Sequence, residues 1–272
     1  MIGVEDLSRR IVGILTDYGV ADTYVGELKA ALLSGNPDLA LVDITHMVSP
    51  FNVLEGAFLL YLSYRHFPEG SIFLAIVDPG VGTSRRGVAL RTSRYWFVAP
   101  DNGVAYPAAA EDGIRVAYMI DQTMFKTYGG STFHGRDVFA PVAAMISKNS
   151  LEALVEVKPE SLVKLELPQP RVTRDAAEAT VIHIDRFGNV VLNISRKSYG
   201  PLIDEMMGRR VELRLGRRKF AARLVEAYGD ERRGCVVALW GGTGFLEISV
   251  VEGSFVERSK AKVGDRVLVK WF

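Results

Sequence analysis

The chain has 272 residues, 48% of them hydrophobic and 24% charged, which is enough apolar material for one large globular domain or two smaller ones. Its 33 basic and 32 acidic side chains leave a formal net charge of +1, so nothing in the bulk electrostatics recruits nucleic acid or a membrane surface, and the expected partner is a small molecule. A lone cysteine, Cys235, excludes an internal disulfide and, among apolar neighbours, reads as a buried structural thiol in a reducing cytoplasm.

From the N-terminus, Met1 to Arg10 mixes Glu5, Asp6, Arg9 and Arg10 with no apolar stretch of signal-peptide length, and no later run approaches a membrane span. The protein is therefore expected to be soluble and unprocessed. Ile11 to Leu15 reads as a buried strand ending at Thr16-Asp17, and Asp22 is placed to cap a helix whose Tyr24, Leu28, Ala31 and Leu32 share one face. A second strand, Ala40 to Ile44, precedes Asn52 and Glu55, which have capping-box spacing ahead of Leu54, Phe58, Tyr61 and Leu62. Ser71 to Val77 is the third and most apolar strand. It delivers Asp78 at its carboxyl end, where open α/β sheets place their ligands.

Strands follow near Val88 to Arg91 and Tyr95 to Val98, then a loop from Pro100 to Pro107 and a helix from about Asp137 to Ile146. Between Leu165 and Arg174 the pattern loses its periodicity around Pro168 and Pro170, which marks an interdomain linker. The expected division is an α/β domain over 1–167, a linker over 168–176 and a second domain over 177–272. Beyond the linker, seven short strand-like runs broken by glycine and charge predict a small β-barrel or sandwich.

Two glycine-bearing loops concentrate the chemistry. Asp78-Pro-Gly-Val-Gly-Thr-Ser-Arg85 and Thr132-Phe-His-Gly-Arg-Asp137 together offer an acid, a cation and an imidazole on backbone that can come close to a ligand. Gly80-Val-Gly82 is no phosphate cradle, because no Gly-Lys-Ser/Thr follows and the next element is a strand. Taken singly, Asp78 shapes a turn and Arg85 is a solvated charge; their value is in combination. His46, His66 and His183 stand alone, with no His-x-His or His-Glu-x-x-His spacing, so no metal site is expected. His134 is open between a structural loop role and a chemical one. Asp17 either caps a turn or accepts hydrogen bonds from the vicinal hydroxyls of a ribose. Asp185-Arg-Phe-Gly-Asn189 is either a hairpin turn or a site in which Asp185 receives an ammonium and Asn189 reads an adenine edge. Phe51 is a stacking platform or ordinary core.

Several segments, in order over nearly the whole chain, together resemble one family. They are Leu15-Thr-Asp-Tyr-Gly19, Asp43-Ile-Thr-His46 with Pro50-Phe-Asn-Val-Leu-Glu-Gly56, Val77 to Arg85, Ala99-Pro-Asp-Asn-Gly103, Thr132 to Asp137, Asp185 to Asn189 and Gly244-Phe-Leu-Glu-Ile248. The family is the S-adenosyl-L-methionine (SAM) hydroxide adenosyltransferases, the adenosine-forming SAM hydrolases related to fluorinase and chlorinase. The resemblance implies an N-terminal α/β domain with a mainly parallel central sheet and a C-terminal β-barrel. It further implies a homotrimer with active sites between one subunit's N-terminal domain and its neighbour's C-terminal domain.

It also implies hydrolysis of SAM to adenosine and L-methionine by a water activated by Asp78, Arg85 and His134, with neither metal nor organic cofactor. By the same resemblance, Asp17 holds the ribose diol, Phe51 sits beside the nucleoside, Asn189 reads adenine, Asp185 meets the methionine ammonium and Phe133 lines the pocket near C5′. Asp22, Phe187 and Thr243 join these binding residues. Two departures stand out. Gly241-Gly242 replaces the Asn-Ser common in relatives, which leaves Thr243 or backbone amides to meet the methionine carboxylate, and Tyr24 stands where the halogenases carry a small hydroxyl residue near the amino-acid end. A SAM-binding module without turnover and a 5′-halogenase are the competing readings; the triad and Gly135 argue against the halogenase.

Overall fold

The computed structural model describes residues 11–272, and the expectation for the first ten residues lies outside them. Two compact units divide the chain, one ending at Glu166 and the other running from Leu167 to Phe272.

The first unit contains β1 (Ile11–Thr16), α1 (Tyr24–Gly35), β2 (Ala40–Thr45), α2 (Val53–Ser63), β3 (Ile72–Ile76), β4 (Gly87–Arg91), β5 (Trp96–Pro100), α3 (Tyr106–Asp112), β6 (Val116–Ile120), α4 (Ala140–Ser147) and β7 (Leu154–Val157). Its seven strands lie in the order β2-β1-β3-β5-β4-β6-β7. The ladders among β2, β1, β3 and β5 are parallel, and those joining β4, β6 and β7 are antiparallel. The period of a strand explains the layers. Ile72, Leu74 and Ile76 enter a core with Leu28, Leu32 and Val142 on one face, while Phe73, Ala75 and Val77 enter a core with Leu60, Phe97 and Ala108 on the other. Both faces of β3 are therefore buried, which is why it reads as an unbroken apolar run.

Local signals explain most element starts. Asn52 caps α2 by accepting from the Glu55 amide at 3.1 Å, and Glu55 Oε2 accepts from the Ser49 amide at 3.0 Å. The cap of α1 differs from expectation: Thr23, not Asp22, is the N-cap residue, with no side-chain cap, and its hydroxyl donates to Glu27. The Pro100–Pro107 segment is not all loop, because α3 begins at Tyr106 with proline in its first turn. The expected helix at Asp137 begins as a π-helix over Gly135–Phe139 that runs into α4.

The second unit contains β8 (Arg171–Val172), β9 (Ala176–Ile184), β10 (Val190–Ser195), α5 (Arg196–Asp204), β11 (Arg210–Leu215), β12 (Arg218–Leu224), β13 (Val236–Trp240), β14 (Phe245–Val250), α6 (Phe255–Ser259) and β15 (Arg266–Trp271). The order β10-β14-β13-β12-β11-β15-β9 closes on itself through a β9–β10 ladder, with β8 appended to β9. Closure removes the sheet edges, and Val181, Leu192, Leu224, Ile248 and Val269 fill the interior. The proline-bearing stretch is held in place, with Asn193 Nδ2 donating to the Pro168 carbonyl at 2.8 Å. Cys235 corrects an expectation: it is free and only partly buried, at the start of β13 where the chain leaves a surface turn. Among the described residues no helix is long and apolar enough to cross a membrane.

Candidate active site

The strand order reverses direction between β1 and β3, since β2 lies on one side of β1 and every later strand on the other. At such a switch point the loops leaving the carboxyl ends part and leave a crevice. A cavity of about 350 Å³ lies there, lined by Asp17 and Tyr18 after β1, Pro50 and Phe51 before α2, Asp78 and Val81 after β3, and Thr132, His134 and Gly135 before α4.

Asp78 and His134 line this crevice, and Arg85 joins them from outside the lining. Arg85 Nε donates to Asp78 Oδ1 at 3.0 Å while Nη2 donates to Oδ2, a two-pronged pair that fixes the guanidinium plane. Their side chains are only 9% and 6% exposed, so the pair is sheltered from solvent screening. Arg85 Nη2 also lies 3.3 Å from His134 Nδ1. A guanidinium has no acceptor, so Nδ1 must be the bare nitrogen and the imidazole is neutral with its proton on Nε2. Burial, helped by the Arg85 charge, pushes His134 below the ordinary histidine value. Burial raises Asp78 above the usual carboxylate range despite the opposing pull of Arg85. Arg85 Nη1 is buried without a hydrogen-bond partner among the described residues.

The binding side is aromatic and strained. Phe51 has φ 66°, unusual for a residue with a β-carbon, and its ring is 71% exposed. Its amide donates to Asp17 Oδ2 at 2.9 Å, which ties the two loops together. Tyr18, Tyr24 and Phe133 pack edge-on or tilted with centroids 5.3 to 5.9 Å apart. Arg136 lies over the Phe133 ring at 4.8 Å and is pinned by Glu27 at 2.7 Å and Asp137 at 2.6 Å. Phe133 is not itself in the cavity lining but packs on Tyr18 and Tyr24, which are. A β-carbon at Gly135 would collide with the Tyr18 hydroxyl, so glycine there leaves room for the phenol.

The candidates of the second unit form a separate group within it. Asp185 Oδ1 accepts from the amides of Phe187 and Asn189, both at 2.9 Å, and Oδ2 accepts from Asn189 Nδ2 at 2.9 Å. The geometry is that of a hairpin turn between β9 and β10, and Phe187 projects with 77% exposure. These residues line a cavity of about 1030 Å³ with Tyr228, Gly242 and Glu247. Tyr228 donates to Glu247 Oε2 at 3.3 Å, and burial followed by the Asp185 charge raises the Glu247 carboxyl above its usual range. Thr243 and Asp22 are exposed and line neither cavity. Tyr18 and Glu247 were present in the motifs without a role of their own. Tyr228 carries no sequence signal, because it arrives from a distant single turn. Among the described residues no group of three His, Cys, Asp or Glu could hold a metal ion.

Comparison with known proteins places this geometry. The SAM hydroxide adenosyltransferase N-terminal domain matches residues 12–155 and the corresponding C-terminal domain matches 179–268. An (R)-S-adenosyl-L-methionine hydrolase of Thermus thermophilus is 36% identical over 94% of this chain and 97% of its own length. A fluorinase of Nocardia brasiliensis is 29% identical over 96% of this chain and 97% of its own. The crystal structure of a conserved Thermotoga maritima protein superposes with a TM-score of 0.88 at 37% identity, covering 95% of this chain and 99% of that one. With both domains matched in order and relatives aligned from end to end, the chain belongs to the SAM hydroxide adenosyltransferase family.

Proposed function

We propose that this protein hydrolyses SAM to adenosine and L-methionine by attack of water on C5′ of the ribose. The observation that carries the reading is the buried Asp78–Arg85–His134 cluster, set in the same crevice as Asp17 and Phe51. The substrate brings its own leaving group. As oxygen bonds to C5′, the C5′–S bond breaks with its electron pair on sulfur, and the sulfonium departs as a neutral thioether. The enzyme need only align the water and take one proton. Bulk water has a pKa of about 15.7 and free histidine about 6.5, so proton loss accompanies attack and does not precede it. The Arg85 guanidinium steadies the developing hydroxide, Asp78 holds its plane, and neutral His134 takes the proton on Nδ1, its one bare nitrogen, giving up the contact with Arg85 Nη2.

In this reading Asp17 holds the ribose diol and Phe51 stacks beside the nucleoside. Asn189 reads adenine, Asp185 meets the ammonium, and Asp22, Phe187 and Thr243 contribute at the amino-acid end. Phe133 acts through the packing of Tyr18 and Tyr24. The domains, 1–167 and 177–272 joined by 168–176, supply these groups within a cytoplasmic homotrimer whose sites form at subunit interfaces, without a cofactor. The test is incubation of metal-free protein with SAM in ¹⁸O-labelled water. Label at the adenosine 5′ oxygen, lost in His134→Ala, is the expected result. SAM recovered intact but tightly bound would overturn turnover in favour of a binding-only protein.

A further inference from the structure

His46 is one of the buried titratable groups that the triad does not use, and it stood alone in the sequence. In the fold it is 5% exposed and lies behind the Asp17 turn. Its Nδ1 is 2.9 Å from Thr16 Oγ1, and its Nε2 is 3.0 Å from Asp43 Oδ1, a close charge contact outside the alignment of a linear hydrogen bond. Asp43 Oδ2 accepts from Lys29 Nζ at 2.7 Å. The order Asp, His, Thr looks like a nucleophile triad, yet Thr16 is fully buried and cannot meet a substrate.

Its hydrogen bonding points to another task. Nε2 faces the acceptor-only Asp43 carboxylate, so the neutral ring carries its proton there and Nδ1 accepts from the Thr16 hydroxyl, whose oxygen also accepts from the Tyr18 amide at 3.3 Å. The His46 carbonyl accepts from the Gly19 amide at 2.7 Å, and the Thr16 carbonyl accepts from the Val48 amide at 3.4 Å. Residues on both sides of Asp17 are thus laced to the segment after β2, while the Asp17 carboxylate itself takes the Phe51 amide. The turn carries Gly19 at φ 68°, which glycine adopts freely, and faces Phe51 at φ 66°, a conformation that a residue with a β-carbon keeps only where neighbours over-determine it.

We infer that His46, acting through Thr16, is a positioning residue that sets the Asp17–Tyr18 turn and so governs affinity for the ribose of the substrate. The inference rests on the proposed role of Asp17. The triad's Asp78 and Arg85 sit after β3 and His134 before α4, so its chemistry should survive loss of His46.

The experiment measures adenosine affinity by calorimetry, and KM and kcat for SAM, in His46→Leu, His46→Asn, Thr16→Val, Thr16→Ser and Asp17→Ala. Thr16→Val and His46→Leu are expected to raise KM and adenosine Kd roughly tenfold with kcat within threefold. Thr16→Ser, which keeps the hydroxyl, and His46→Asn, which can keep an acceptor near Nδ1, are expected to recover most of that loss. In an Asp17→Ala background Thr16→Val should add little, since the group it positions is gone. If His46→Leu does not fold, the Thr16 pair carries the same test. Unchanged affinity in Thr16→Val, or a loss fully additive with Asp17→Ala, would overturn the inference while wild-type turnover stands. A wild-type protein that neither binds adenosine nor consumes SAM would overturn the proposed function and this inference with it.

Discussion

The crevice of the first unit and the cavity of the second both present an aspartate and an exposed phenylalanine, but they account for their polar groups differently. After β3, Asp78 is buried against Arg85 and leaves Arg85 Nη1 without a partner. After β9, Asp185 accepts three hydrogen bonds from its own hairpin, from the amides of Phe187 and Asn189 and from the Asn189 side chain. A site built at a topological switch point draws its groups from distant loops and can leave one unfilled. A hairpin satisfies most of its aspartate locally, and it offers a ligand the exposed ring, the shape of the turn and the remaining acceptor position on Oδ2. The first arrangement suits chemistry; the second suits binding.

The largest expected effect sharpens the first half of that contrast. His134→Ala should lower kcat by roughly 10²- to 10⁴-fold while adenosine affinity stays within a few-fold, read by chromatography and calorimetry. Arg85→Lys keeps the charge but loses the two-pronged pairing with Asp78, and kcat should fall roughly 10²-fold.

The pH profile follows from His134. Its value in the fold lies below the ordinary 6.5, and it must be neutral to accept a proton. Activity is therefore expected to persist on the acid side of 6.5 and fail as pH drops through the folded value, with the limb absent in the residual activity of His134→Ala. The stability contribution has the same sign: it is intact above 6.5 and lost as pH falls through that lowered value. An acid limb at or above 6.5 would contradict the buried, arginine-facing environment.

Packing supplies a smaller effect. Gly135→Ala drives a β-carbon into the Tyr18 hydroxyl and should cost about 1–3 kcal/mol in denaturant unfolding, partly recovered by adding Tyr18→Phe. The smallest change tests the other half of the contrast. Asp185→Ala removes the acceptor of two turn amides and should cost about 1–2 kcal/mol of stability. Lost SAM affinity with unchanged unfolding would break the distinction and make Asp185 primarily a ligand group.

Much of the fold was legible because hydrophobic periodicity is local. The unbroken apolar run of β3, the capping pair Asn52 and Glu55 and the seven runs of the barrel each lie within a few residues of chain. The misses were also physical. Asp22 had cap chemistry but the chain turned at Thr23, and Cys235 read as buried among apolar neighbours but is only partly so.

By itself the sequence determined the α/β class of the first unit, the all-β character of the second, the glycine-bearing loops and the family, since these depend on residue type and short spacing; it left barrel and sandwich open until the β9–β10 ladder closed the sheet. Tertiary structure alone decided which donor is unfilled, why Gly135 must lack a side chain, and that His46 stands behind Asp17. Those facts depend on partners 49 residues apart for Arg85 and His134 and 30 apart for Thr16 and His46. Hydrogen bonds act over about 3 Å, and no local pattern encodes which distant loop arrives within that reach.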